Sequence, residues 1–401
     1  MVLRSRGATR GTMSDPTRDL ATVQSGATAR AAADDRDGAL AALRSAIDRV
    51  DREILGCLNE RARLVQEVGA TKRVGGATVY QAARERDLAL ALEAANPGPF
   101  PTAAIRAVFR EIVSGTRSLE ARLRIAFLGP EGTFSHLAAR EIFGGEAEFL
   151  AESSIPHVFA AVERGAVDHG VVPVENTTEG VVTQTLDTLV ESELPICAEA
   201  VLPIQHCLAS RSGRLEDVRR VASHAHPLAQ CRAWLDQKLP GTERLEVAST
   251  VAAAELAARD ADVAAVGSRL AAELLGLQVA ASGIQDRRDN STRFLVVGGR
   301  EPEPSGCDLT SVVFTVRKAE AGALHRLLEP FARHGVNLTS IQSRPRKGTP
   351  WEYVFFIDLE GHRSEPAVAA ALADAGRVAH STRVLGSFPR AAAPARPGGA
   401  P

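Results

Sequence analysis

The chain is short of lysine, of aromatic residues and of paired cysteines, and each shortage removes a class of function. Lysine occurs only at Lys72, Lys238, Lys318 and Lys347, and 47 Lys+Arg against 49 Asp+Glu leaves a formal charge of −2. A nucleic-acid binder needs a concentrated basic surface, which that balance does not supply. Aromatics are 4% of the 401 residues, with two Trp and two Tyr, too few for a base-stacking platform. The five cysteines, Cys57, Cys197, Cys207, Cys231 and Cys307, never form a C-x-x-C pair. Their spacing fits neither a disulfide framework nor a zinc site, so a reducing, cytoplasmic setting is expected. No stretch approaches the roughly 20 apolar residues of a membrane-spanning helix.

What is present is ordinary globular material, 45% hydrophobic and 24% charged, enough for two or three domains. Residues 1–37 are rich in Arg, Ala, Thr, Ser and Asp without apolar periodicity and read as a disordered extension. From Ala39, Leu40, Leu43, Ile47, Val50, Ile54, Leu58, Val65 and Val68 recur at mostly three- and four-residue steps, one face of a long helix that Gly75-Gly76 stops. Helical stretches near Arg84–Ala94 and Thr102–Arg122 follow, giving an all-helical segment over 38–122. Its first helix is too long to be covered by its two partners.

Over 123–300 short apolar runs alternate with helical stretches: 124–128, 167–174, 194–204, 220–223, 263–266 and 294–297. This α/β pattern predicts a mostly parallel sheet, in two groups of strands that could form two lobes around a cleft. After Glu301-Pro302-Glu303-Pro304, residues 307–389 spell strand, helix, strand, strand, helix, strand, the ferredoxin-like βαββαβ order. The Ala/Pro/Gly tail over 390–401 reads as disordered.

On the first helix, Arg61 and Lys72 share a face about 16 Å apart, a spacing that could enclose a small dicarboxylate. Arg44 lies about 25 Å from Arg61 along a straight helix, so it could join only from a second subunit, and a shared site predicts an intertwined dimer. Leu43-Arg44, Asp51, Arg61, Glu67-Val68-Gly69, Lys72 and Arg84-Glu85-Arg86 resemble the all-helical class of chorismate mutase. The resemblance implies that Arg44, Arg61, Lys72, Arg84 and Glu85 bind chorismate, with Gln81 where some members have Asp. Thr116 falls at the usual small polar position, and Glu120 where Gln is frequent. A Claisen rearrangement needs only a substrate folded into its reactive chair and charge stabilised at the breaking ether bond. Lys72 would donate to the ether oxygen. Glu120 is expected to act protonated, because an ionised carboxylate would repel that oxygen.

In the middle segment, Gly129-Pro130-Glu131-Gly132-Thr133-Phe134-Ser135, Val172-Pro173-Val174-Glu175-Asn176-Thr177, Ser223-His224, Gln230-Cys231 and Asn290-Ser291-Thr292-Arg293-Phe294 stand in order. Together they resemble prephenate dehydratase, which implies a two-lobed α/β domain like that of periplasmic binding proteins. Thr292 and Arg293 are then catalytic, with Glu175 and Asn176 beside them. Thr133, Ser135, Ser223 and Gln230 would bind substrate, and His224 competes with a structural histidine as proton source. No G-x-S-x-G motif supports nucleophilic hydrolysis.

The last segment resembles an ACT regulatory domain. Gly322-Ala323-Leu324 and Gln342-Ser343-Arg344-Pro345 stand where phenylalanine-sensing versions carry G-A-L and E-S-R-P, Gln342 replacing Glu. A plain dimerisation module is the alternative. The combined expectation is a homodimeric or larger enzyme taking chorismate through prephenate to phenylpyruvate. It would be inhibited by L-phenylalanine and need neither metal nor organic cofactor. Its rivals are a dehydratase with an inactive helical segment, an arogenate dehydratase, and a non-catalytic sensor.

Overall fold

The computed structural model describes residues 16–75, 80–316, 321–345 and 353–391; the side chains of 16–35 and 72–75 lie outside that description. It forms two compact units, one ending at Leu64 and one beginning at Val65. Helix α1 (Pro16–Gly75) supplies everything described in the first unit. It begins 23 residues before the expected start at Ala39, so positions 16–37 are helical rather than disordered. The missing apolar periodicity was a statement about packing, not about helicity. Pro16 suits a first turn, and the Ala- and Arg-rich run behind it contains no further proline. Along α1, Leu40, Leu43, Ile47, Val50, Ile54 and Leu55 are all exposed.

In the second unit α2 (Ala82–Ala95) and α3 (Thr102–Ser118) form a hairpin. Asn96 fixes its turn by donating to the Phe100 carbonyl (2.8 Å) and to the Thr102 hydroxyl (2.9 Å).

The α/β region contains two sheets. The chain lays down β1 (Arg124–Leu128), α4 (Phe134–Phe143), β2 (Glu148–Glu152), α5 (Ile155–Glu163), β3 (His169–Asn176), β4 (Gly180–Val181), α6 (Thr183–Glu191) and β5 (Ile196–Pro203). It then crosses to a second lobe built on β6 (Cys207–Ser210), β7 (Arg220–Ser223), β8 (Glu243–Glu246), β9 (Val263–Gly267) and β10 (Gln278–Ser282). Helices α7 (Ala225–Gln230), α8 (Arg232–Lys238), α9 (Thr250–Arg259) and α10 (Arg269–Leu274) connect these strands. The chain returns to the first sheet as β11 (Ser291–Val297). The strand orders are β2-β1-β3-β11-β5 and β10-β6-β9-β7-β8.

The sheets are mixed, not mostly parallel. The returning β11 inserts antiparallel between β3 and β5, and β6 pairs antiparallel with both β9 and β10. Apolar runs do not reveal the direction in which a strand enters its sheet, which is why the alternation read as parallel.

The last region is β12 (Asp308–Val316), α11 (Ala323–Arg333), β13 (Leu338–Pro345), β14 (Tyr353–Glu360), α12 (Pro366–Val378) and β15 (Ser381–Pro389). Its four-stranded sheet has the order β13-β14-β12-β15. One face packs Phe314, Ile357 and Leu359 against Leu327, Phe331 and Val368 of its own helices. The other places Val313, Phe356 and Leu385 in one core with Val172, Leu186 and Leu295 of the first lobe. Burying such side chains stabilises the junction by about 1.5–3 kcal/mol each. The approach is close enough that a Cβ at Gly386 would overlap the Ile196 backbone. The last domain is thus seated on the back of the sheet that carries β11.

Candidate active sites

Strand β11 brings Thr292 into register with Asn176 on β3. The Asn176 amide nitrogen donates to the Thr292 hydroxyl oxygen at 2.8 Å and to Asn290 Oδ1 at 2.9 Å. Its oxygen accepts the backbone N–H groups of Thr178 (2.8 Å) and Glu179 (2.9 Å). A backbone N–H can only donate, so these two fix which end of Asn176 faces Thr292. With one lone pair so occupied, the buried Thr292 hydroxyl keeps its proton for another acceptor. Asn290 Nδ2 continues the network to Gln230 Oε1 at 3.3 Å, and Gln230 Nε2 reaches Glu179 Oε1 at 3.2 Å. Gln230 and Asn290, with Thr178, Gln285, Asp286 and Arg287, line a cavity of about 340 Å³.

The loop before α4 leads to Phe134, which packs edge-on to His206 with centroids 5.4 Å apart. Thr133 caps α4, its hydroxyl accepting His136 N–H (3.3 Å) and donating to the Leu128 carbonyl (3.1 Å). Ser135 is buried in the first turn. At Gly132, φ is +88° and a Cβ would meet Ala271 Cα at 3.0 Å. There the first lobe touches the second, and Ser268 Oγ donates to the Gly132 carbonyl at 2.5 Å. Ser223 is fully buried, its hydroxyl donating to the Val266 carbonyl at 2.7 Å within the second sheet. His224 caps α7 by accepting His226 N–H, a structural role.

Glu175 and Arg293, expected beside Thr292, lie on the other face of the sheet. They are in register with each other one residue along from Asn176 and Thr292, and successive side chains on a strand alternate. Arg293 pairs with Glu199 of β5 at 2.7 Å and, more closely still, with Asp358 of β14. Burial alone would push this guanidinium's pKa down, but the two carboxylates outweigh it and hold it up. Glu175 lines the same junction with Ser340, Gln342 and Asp358.

Of the residues expected to bind chorismate, Arg44 and Arg61 lie on α1 within the first unit; the Lys72 side chain lies outside those described. In the second unit Gln81 precedes α2, and its carbonyl accepts Glu85 N–H at 3.1 Å. Arg84 is exposed. Glu85 pairs with Arg117 at 2.6 Å, and Arg117 also donates to the Phe143 carbonyl at 2.5 Å. Thr116 is buried, its hydroxyl donating to the Ile112 carbonyl at 2.8 Å. Glu120 covers Gly69, where a Cβ would meet Glu120 Cγ at 2.8 Å.

Beside Arg117, His169 stacks on Phe143 (centroids 5.6 Å apart), with Cys197 Sγ 3.8 Å from its Nδ1. Burial lowers the His169 pKa to about 4, against the opposing pull of Asp168, and raises that of Cys197 to about 12. Both are neutral near pH 7, so this is packing rather than a thiolate–imidazolium pair.

Gly322, in the left-handed conformation (φ +79°), precedes α11, whose first residues are Ala323 and the exposed Leu324. Gln342, Ser343, Arg344 and Pro345 end β13, an edge strand, and Arg344 donates to Asp187 of α6 at 3.4 Å. Among the described residues no cluster of His, Cys, Asp and Glu could hold a metal ion, and no helix is long and apolar enough to cross a membrane. Residues missed from sequence are Glu179 and His206. His206 is an isolated histidine in the Ile204–Leu208 run, marked by no motif.

A helical segment, a two-lobed α/β domain with a polar cleft and a seated βαββαβ domain define a multidomain enzyme with an attached regulatory module. Family models match in the same order: chorismate mutase type II over residues 43–121, prephenate dehydratase over 125–302 and the ACT domain over 310–377. A bifunctional chorismate mutase/prephenate dehydratase of Aquifex aeolicus is 46% identical over 353 residues, covering 87% of this chain and 97% of that one. Prephenate dehydratase of Arthrobacter aurescens, solved in complex with L-Phe, is 39% identical (TM-score 0.62; 67% of this chain, 90% of that one). A solved protein described as a novel type of quorum-quenching acylase is 31% identical (TM-score 0.62; 68% of this chain, 98% of that one). The chain belongs to the bifunctional chorismate mutase/prephenate dehydratase family.

Proposed function

We propose that this chain rearranges chorismate to prephenate in its helical domain (38–122) and converts prephenate to phenylpyruvate in its α/β domain (123–300). Its ACT domain (307–389) then reports L-phenylalanine. The observation that carries the dehydratase reading is the Thr292 hydroxyl, whose oxygen accepts from Asn176 and whose proton remains available to the cleft. In the reaction the carboxylate C–C bond breaks to release carbon dioxide, and its electrons aromatise the ring. The ring C–O bond breaks, and the departing oxygen takes up one proton to leave as water. Thr292 donates a hydrogen bond to that oxygen as its charge grows, while the N–H groups of Gln230 and Asn290 face the substrate's carboxylates. Acylase chemistry would need an activated nucleophile; among the described residues the Thr292 oxygen is bonded to an amide, not to a base.

For the mutase reaction, Arg44, Arg61 and Arg84 hold carboxylates, Lys72 and Glu120 address the ether oxygen, and Glu85 is oriented by Arg117. One helix keeps Arg44 and Arg61 too far apart to share a small substrate, and its apolar row is exposed. Both features support a homodimer in which each site takes Arg44 from the partner. The free cysteines fit a reducing, cytoplasmic location. The test is phenylpyruvate formation from chorismate and from prephenate, supplied separately, with and without L-phenylalanine. Product from both, suppressed by phenylalanine, is expected; product from prephenate alone would reduce the helical domain to a scaffold.

A further inference from the structure

We infer that His206 is a positioning residue of the dehydratase site, holding the Gln230 amide so that it presents N–H rather than carbonyl oxygen to the anionic substrate. This rests on the dehydratase reading above.

The argument starts from hydrogen-bond direction. The backbone N–H groups of Thr178 and Glu179 make Asn176 Oδ1 an acceptor, so Asn176 Nδ2 donates to Asn290 Oδ1. Asn290 must then donate from Nδ2 to Gln230 Oε1. That same Oε1 lies 2.9 Å from His206 Nε2, which is therefore the protonated ring nitrogen. His206 is 2% exposed, and its Nδ1, left as a bare lone pair, has no hydrogen-bond partner among the described residues. Burial favours this neutral form, since it lowers the imidazole pKa against the raising effects of Gln230 and Glu179.

The ring is held independently of Gln230. It packs edge-on to Phe134 at 5.4 Å, and its backbone N–H donates to Gln285 Oε1 at 3.1 Å. With Oε1 held by two donors, Gln230 Nε2 gives one N–H to Glu179 and keeps a second for the cavity it lines. Without His206, only the longer contacts to Asn290 (3.3 Å) and Glu179 (3.2 Å) would oppose a flip that turns a carbonyl oxygen toward the substrate's carboxylates.

The test is dehydratase kinetics of the full-length protein with prephenate, the parent being measured alongside; an inactive parent would overturn the dehydratase reading itself. His206→Leu is expected to lower kcat/KM by about tenfold or more, mainly through KM, with a parental circular-dichroism spectrum as the sign of an intact fold. A Gln at 206 places an N–H near the Nε2 position, whereas an Asn mimics only Nδ1. His206→Gln should therefore recover most of the loss and His206→Asn should not. In a Gln230→Ala background, His206→Leu should cost little more. Equal activities of the Gln and Asn variants, or an undiminished loss in the Gln230→Ala background, would overturn the inference. If the Leu variant does not fold, the Gln and Asn pair decides the question.

Discussion

Thr292 and Arg293 are adjacent on β11, yet the first meets Asn176 on the cleft side and the second meets Asp358 of the ACT sheet on the other. Asp358 also accepts from Ser311 at 2.5 Å and stands in register with Ser340 on β13, the strand that ends in Gln342–Pro345. One strand of the catalytic sheet is therefore gripped by the domain proposed to sense L-phenylalanine.

That grip predicts how inhibition is transmitted. Asp358→Asn keeps the shape and the Ser311 contact but removes a charge from Arg293, which retains Glu199. Inhibition at saturating L-phenylalanine should fall from nearly complete to partial, while phenylalanine binding, followed by calorimetry, persists. Coupling between sites requires a differential interaction, and this substitution weakens one candidate for it. Unaltered inhibition would eliminate the Arg293–Asp358 link as the route.

The βαββαβ domain was legible because its central strands β12 and β14 are strongly apolar runs and turn residues punctuate the whole order. The strands that escaped notice include β2 and β8, Glu148–Glu152 and Glu243–Glu246, short edge strands each begun and ended by Glu. Thr292, Asn176 and Gln230 stand in the quoted motifs, and the structure joins them through Asn290. The placement of Glu175 and Arg293 was not legible. A motif records adjacency along the chain, whereas the side a residue faces depends on which face of the sheet lines the cleft. His206 was hidden for a related reason, since only the crossing between lobes brings it to Gln230.

The exposed apolar row of α1 predicts a second copy of the chain. Leu43→Glu with Ile54→Glu should convert a dimer into monomers by sedimentation analysis and abolish mutase activity, because Arg44 could no longer serve the partner's site. Dehydratase activity should survive. A parent chain that sediments as a monomer with full mutase activity would exclude the shared site.

His169 predicts an acid-sensitive junction. Its pKa is about 4 in the folded chain, against 6.5 for an unperturbed imidazole. The unfolded chain therefore binds a proton over this window that the folded chain refuses, and stability is lost as pH falls from about 6.5 through about 4. The group imposes no penalty above that window and costs about 3 kcal/mol below it. His169→Leu should lower the melting temperature less than the parent's on going from pH 7 to pH 5. Identical pH dependence of the two melting curves would show that the imidazole takes up a proton as readily in the folded chain as in the unfolded one.

The cleft itself is tested most directly at Thr292 and Asn176. Thr292→Val removes the hydroxyl at nearly constant volume and should lower dehydratase kcat by about a hundredfold or more, the scale of losing a donor to developing charge. Thr292→Ser keeps the donor and should retain most activity. Asn176→Ala leaves the hydroxyl but frees its proton to turn away. It should therefore lose less kcat than Thr292→Val alone, and almost no further kcat in a Thr292→Val background, where its remaining effect falls on KM through Asn290 and Gln230. Mutase activity, housed in another domain, should be unchanged in all of them. A Thr292→Val enzyme with near-parental kcat would move the assistance of hydroxide departure to another group, whatever Asn176 holds in place.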